Sequence, residues 1–209
     1  MQESIVRNEH RILDLKTYID LRRLSSGVKP MFSIYELGFN IPDEVMAHPA
    51  MQDMIMGAVD MIAFSNVSNI IGSLIVHLLT DLKDIFSYNV EQHRKDEVHN
   101  IITCVMKEHQ TDVNGAMLWV QNYLDGVAEK FLAAFASLPQ QWEEPLNSEV
   151  KAYCEGLGQW VRGNNDWSFE SERYFGNKGA EIKEKRWMSL LPRKRVTEIG
   201  PVHVDSSLL

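Results

Sequence analysis

The chain predicts an all-α fold, and three observations carry that expectation. No alternation of apolar and polar residues runs long enough for a half-buried strand. Apolar residues recur instead at helical spacing among charges, as in LDLKTYIDLRRL, residues 13–24. The interruptions fall at helix-breaking or helix-starting residues, at SSG (25–27), Pro30, Pro42 and Pro139.

Taken in order, the first helix covers residues 1–24 and ends at SSG, where Gly27 takes a left-handed conformation. Pro30 starts a short helix that reaches about Phe39, and Pro42 sits at the next N-terminus. A long apolar helix follows from about His48. Residues 84–109 read as one amphipathic helix, and residues 111–139 as another. A further helix spans 147–163 and stops at GNN. WSFESERYFG reads as a loop, and residues 177–191 as a last helix. Residues 192–209 are polar and are expected to be a disordered tail.

Composition narrows the function. With 209 residues, 44% apolar and 24% charged, the chain suits one soluble domain with a sizeable core. The net charge of −8 and pI near 5.4 argue against nucleic-acid binding. An acidic protein binds an anionic substrate when Mg²⁺ bridges the two. Cys104 and Cys154 lack any CxxC spacing and read as buried free thiols, which suits a cytoplasmic location. The start, MQESIVRNEHR, has no apolar segment of the kind a signal peptide needs. Between Met54 and Leu79 the only ionisable residues are Asp60 and His77. The densest part, IIGSLIVHLL (70–79), is too short for a bilayer, so a buried helix is expected and no membrane span. The sequence specifies no oligomeric state.

Candidate chemistry begins at DIFSYNVEQ, residues 84–92. Ser87 and Glu91 stand four apart, on one helical face, and offer Mg²⁺ two hard oxygens. By themselves two such oxygens also suit a solvated face. The position four before Ser87 is Lys83, a cation where a ligand would be expected. RRLSSG (22–27) places two arginines before a helix break, and SERYFG (171–176) places Arg173 beside Tyr174. Guanidinium forks suit phosphate oxygens, and a tyrosine hydroxyl adds a donor.

Three blocks together, YIDLRRLSSGVKPMF, DIFSYNVEQ and WVRGNNDWSFESERYFG, resemble the C-terminal part of a fungal class I terpene synthase of the basidiomycete sesquiterpene cyclase type. The likeness covers roughly residues 10–190 apart from one interior stretch. It implies a partial class I helical bundle over 1–191. It also implies Mg²⁺ as cofactor and a small-molecule substrate, a prenyl diphosphate such as farnesyl diphosphate. In the family an N-D-x-x-S-x-x-x-E motif binds one Mg²⁺, which assigns Ser87 and Glu91 as ligands. An R-Y pair holds the diphosphate, which assigns Arg173 and Tyr174. An arginine before the helix break senses the diphosphate. Arg23 takes that place, with Arg22 a weaker choice, and Ser26 and Gly27 form the break. Phe32, Tyr35, Phe64, Trp119, Trp160 and Trp167 are candidate linings of an aromatic pocket, though helix-face aromatics are usually core.

The motif's asparagine is missing before Asp84, but joining Asn66 to Asp84 restores it as N-D-I-F-S-Y-N-V-E. Asn66 is therefore the third expected ligand. The seventeen residues between, Val67 to Lys83, read as a translated, unspliced intron. Valine codons begin GT, a lysine codon ends AG, and seventeen codons match a short fungal intron. As helix, the insert would add roughly 25 Å and carry Asn66 away from Ser87. The family's aspartate-rich motif is also absent from the chain. DEVH (96–99) has only two acids, and His93 and His99 read as exposed. The chain is thus expected to be a fragment whose cyclase activity is impaired. The alternatives are a noncatalytic all-α remnant or interaction protein, and a small membrane-associated helical protein.

Overall fold

The computed structural model describes residues 11–64, 83–95, 97–138, 142–185 and 188–193, and all of the secondary structure in them is helical. Asn66, residues 67–82 of the expected intron, and the tail beyond 193 lie outside the described residues. So do the side chains of 83–86.

α1 (Leu15–Ser25) starts at Asp14, whose carboxylate accepts the Thr17 N–H at 2.9 Å. Arg22 and Arg23 occupy its last turn, where the helix dipole favours cations. Gly27 then takes φ 76°, and α2 (Val28–Glu36) begins at once. A Cβ at Gly27 would meet nothing within 4 Å, so the left-handed backbone alone asks for glycine there. The expected helix start at Pro30 therefore falls two residues early, because Gly27 has already turned the chain. Pro42 caps the single turn α3 (Asp43–Met46).

α4 (Pro49–Phe64) is the central element, with every residue from Gly57 to Phe64 buried. It packs against α1, α2 and α3, and against the long helices α7 (Val113–Ser137) and α8 (Leu146–Glu170). Two apolar cores meet along it. One holds Phe32, Met51, Met54, Phe131, Tyr153 and Leu157. The other holds Tyr18, Phe64, Tyr88, Ile101, Ile102 and Leu124. Each fully buried side chain of this size contributes about 1.5–3 kcal/mol.

Residues 84–109 do not form one helix. α5 (Lys83–Arg94) ends at Lys95 (φ 64°), a 3₁₀ turn covers Glu97–His99, and α6 (Ile101–His109) starts afresh. The cause is Asn100, whose Oδ1 accepts the Ile102 N–H at 2.9 Å and makes it an N-cap. The same turn carries His99 inward, to 5% exposure and 5.1 Å from the Tyr18 ring, against its expected surface position. α8 likewise runs through GNN to Glu170, since Asn165 and Ser168 are fully buried and packing overrides weak propensity. The last helix is shorter than expected, α9 (Gly179–Lys185). Non-helical residues 188–193 then lie along α5, where the Leu191 N–H donates to Asn89 Oδ1 at 2.6 Å. Among the described residues, no helix is long and apolar enough to cross a membrane.

Both cysteines are free and buried, as expected. Burial pushes the Cys154 thiol up to about 12. The native chain should therefore resist iodoacetamide at pH 8 and react at Cys154 only after denaturation, read by intact mass. Gly27→Ala should lower stability by about 1–2 kcal/mol, the cost of a left-handed alanine, as measured by urea unfolding.

Candidate functional site

Arg23 leaves the last turn of α1 pointing at α4. Its Nε and Nη2 donate to the two oxygens of Asp60, each at 2.7 Å. The Asp60 side chain is 3% exposed and that of Arg23 is 27% exposed. Tyr123, on α7, donates its O–H to Asp60 Oδ2 at 2.8 Å and lies 3.5 Å from Arg23 Nη2. On the outer side, Nη1 is 3.6 Å from Asp20 Oδ1. The hydrogen bond to Asp60 pushes the Arg23 pKa further up, so the group is a permanent cation. Burial, and then the Asp60 charge, push Tyr123 up, which keeps its hydroxyl a donor.

Ser87 and Glu91 do share one face of α5. Both turn toward the buried Asn100, whose Nδ2 donates to Ser87 Oγ at 3.3 Å and Glu91 Oε2 at 3.0 Å. The amide cannot flip without losing its cap, because Oδ1 is committed to Ile102. One side chain thus starts α6 and gathers both α5 oxygens. Tyr18 on α1 packs against His99 and Phe64, so the α1 helix and the α5–α6 turn share one core.

Arg173 and Tyr174 follow α8, on a third apolar cluster with Phe169 and Phe175. Arg173 is exposed, with its guanidinium carbon 5.5 Å from the centre of the Tyr174 ring. Trp167 meets Tyr174 edge-on at 6.3 Å and also lines a cavity of about 590 Å³. The other lining residues are Tyr35 on α2, and Gly156, Gln159, Trp160, Gly163 and Asn164 on α8. A Cβ on Gly156 would fall 1.6 Å from the Tyr35 hydroxyl, so glycine lets that ring sit against α8. Three of the six candidate lining aromatics, Tyr35, Trp160 and Trp167, face this cavity. Phe32 is buried behind Trp160, Phe64 lies in the second core, and Trp119 stacks on Tyr123.

The model of the terpene synthase family 2, C-terminal metal binding, matches residues 1–130, well over half of the chain. The chain belongs to this family. A Delta(6)-protoilludene synthase of Stereum hirsutum is 43% identical over 209 residues, all of this chain and 52% of that protein. A Delta(6)-protoilludene synthase of Armillaria ostoyae is 40% identical over the whole chain and 56% of its own length. Sesquiterpene synthase 9 of Postia placenta is 40% identical over 92% of the chain and 51% of its length. The chain thus spans about half the length of the relatives it matches. Among solved structures, an α-eudesmol synthase superposes with TM-score 0.60 at 24% identity, over 76% of this chain and 46% of its own. A linalool/nerolidol synthase from Streptomyces clavuligerus gives TM-score 0.60 at 17% identity, over 79% and 51%. The fold is that of a class I terpene synthase.

Within this terpene synthase chain, the oxygen chemistry of Ser87 and Glu91 fits a hard cation. Both oxygens already converge on one positively polarised N–H group. Among the described residues no cluster of three His, Cys, Asp or Glu side chains could hold a metal. A cation at Ser87 and Glu91 therefore needs water or substrate oxygens to complete its shell, as Mg²⁺ commonly does. The matched residues 1–130 include Arg23, Gly27, Ser87 and Glu91 but not Arg173 or Tyr174.

Sequence reasoning passed over Asp60, Tyr123 and Asn100. Asp60 carried a signal, since a lone carboxylate in an apolar helix needs a partner. Asn100 carried only the weak signal of an N-cap residue, and Tyr123 none. Asn100→Ala removes the cap and the donor to both α5 oxygens. It should lower stability by about 1–2 kcal/mol in urea unfolding.

Proposed function

We propose that this chain is the C-terminal, metal- and diphosphate-binding half of a sesquiterpene cyclase, acting on a prenyl diphosphate such as farnesyl diphosphate. The observation that carries the reading is the convergence of Ser87 Oγ and Glu91 Oε2 on one buried amide, on a helix whose DIFSYNVE resembles all but the asparagine of the family's metal-binding motif. The names of the relatives, protoilludene and sesquiterpene synthases, support the substrate class.

Ser87 and Glu91 would hold Mg²⁺, with Asn66 as third ligand where Asn66 is joined to Asp84. When bound, the metal supplies Lewis-acid stabilisation of a departing diphosphate. Arg173 and Tyr174 would grip diphosphate oxygens, and Arg23 would sense their arrival beside Gly27. Tyr35, Trp160 and Trp167 would present ring faces to an apolar cation and exclude water. The chain as written is proposed to bind Mg²⁺–diphosphate without completing cyclisation. It contains no aspartate-rich motif, and Asn66 stands seventeen residues from its place in the motif.

Residues 67–83 are proposed to be intron-encoded. Transcript sequencing across the codons for Asn66 and Asp84 tests this, and a mature message that retains all seventeen codons would sink it.

Calorimetric titration of inorganic diphosphate into the full chain, with and without MgCl₂, tests the binding function. Binding should require Mg²⁺. Glu91→Gln should weaken it by at least about tenfold, the scale on which even outer partners of a metal ligand register. Arg173→Ala should weaken it comparably, by loss of a charge-assisted contact. A noncatalytic remnant would show no Mg²⁺-dependent binding. Gas chromatography of farnesyl diphosphate incubations should show no cyclic product from this chain alone.

A further inference from the structure

We propose that Asp60 and Tyr123 are positioning residues that clamp one edge of the Arg23 guanidinium and so aim its other edge at an incoming oxyanion. The inference rests on the proposed role of Arg23 as the diphosphate sensor.

The geometry supports a clamp in four ways. First, Asp60 takes Nε and Nη2 in a two-point grip, both at 2.7 Å, which fixes the guanidinium plane as well as its place. Second, Asp60 is held in turn. Its Oδ2 accepts from Tyr123 at 2.8 Å, and the helix around it is buried on both sides in sequence. Third, the Tyr123 ring is itself fixed. It stacks on Trp119 at 5.6 Å with 7° between the planes, and Phe64 meets it edge-on at 6.4 Å. Fourth, the gripped edge is the buried one. The Nη1 end faces outward, where its neighbour is Asp20, half exposed and 3.6 Å away. A contact of that length to an exposed carboxylate is weak and screened, so an anion of higher charge displaces it readily.

The arrangement spans three helices. Arg23 is on α1, four residues before Gly27, Asp60 is on α4, and Tyr123 is on α7. A guanidinium that swung freely would lose orientation on binding an anion. One held by a second, buried partner does not. Tyr123 keeps its proton through burial and the Asp60 charge, so the clamp works unchanged across the neutral range.

The test is a double-mutant cycle on the full chain, with inorganic diphosphate and MgCl₂ as the probe and thermal unfolding run in parallel. Tyr123→Phe keeps both ring contacts and removes only the hydroxyl. Arg23→Lys keeps a cation against Asp60, and so the fold, but has no fork. Diphosphate affinity should fall roughly tenfold in Arg23→Lys and about threefold to tenfold in Tyr123→Phe. In the Arg23→Lys background, Tyr123→Phe should then cost nothing further, because the hydroxyl acts only through the fork. Equal losses from Tyr123→Phe in both backgrounds, or no loss in either, would overturn the clamp alone. If Arg23→Lys binds diphosphate as the wild type does, the reading of Arg23 as the sensor fails instead, and the clamp with it.

Discussion

A carboxylate buried in the middle of an apolar helix constrains everything packed around it. From Gly57 to Phe64 each residue of α4 is shielded from solvent, and Asp60 is among them. An unpaired charge there would cost several kcal/mol, a large share of a typical domain's 5–15 kcal/mol. The partners come from other helices, Arg23 from α1 and Tyr123 from α7. The pair contributes little net stability against an apolar equivalent, since both charges lose water. What it contributes is register. α1 and α7 must each place one side chain at one point on α4, and the two cores flanking α4 inherit that alignment.

Asn100 imposes a similar constraint at smaller scale. Its amide serves two ends, with Oδ1 capping α6 and Nδ2 gathering Ser87 and Glu91 on α5. The two helices cannot shift relative to each other without breaking one of these bonds in a fully buried place. That is why the chain breaks between Arg94 and Ile101 despite an amphipathic pattern that runs through. The break also turns His99 onto Tyr18, which ties the α5 oxygens to the helix bearing Arg23.

These two constraints explain which features were legible in the sequence. The all-α class was legible because helical spacing and proline or glycine punctuation are local signals. The turn at Gly27 was legible because only glycine is at ease at φ 76°. The shared face of Ser87 and Glu91 followed from their spacing of four. The division of 84–109 was not legible, because one asparagine's preference for an N-cap competes with a periodic pattern that runs the whole length of the segment. Nor was the run of α8 through GNN, where burial of Asn165 and Ser168 outweighs the local preference. The Asp60 network was half legible. The lone acid stood out, but the partners lie 37 and 63 residues away and no local rule points to them.

Under the proposed function, the aromatic cavity would limit what the described helices accomplish alone. Its walls come from one residue of α2 and one face of α8, in all seven residues. Trp160 and Trp167 remain 38% and 44% exposed, and Ile34 on α2 and Leu37 at its C-cap 64% and 85%. A carbocation survives only where water is excluded on every side. On the proposed reading, these two helices would provide one wall of such an enclosure, with solvent still in reach of Trp160 and Trp167. The polar elements do not depend on enclosure in the same way. Arg23 is oriented by the buried Asp60 and the partly buried Tyr123, and Ser87 and Glu91 by Asn100, all within the described residues. On the proposed reading, anion and cation binding would rest on the packing of these described residues, whereas guiding a cation through ring closure would need walls beyond the seven residues that line this cavity.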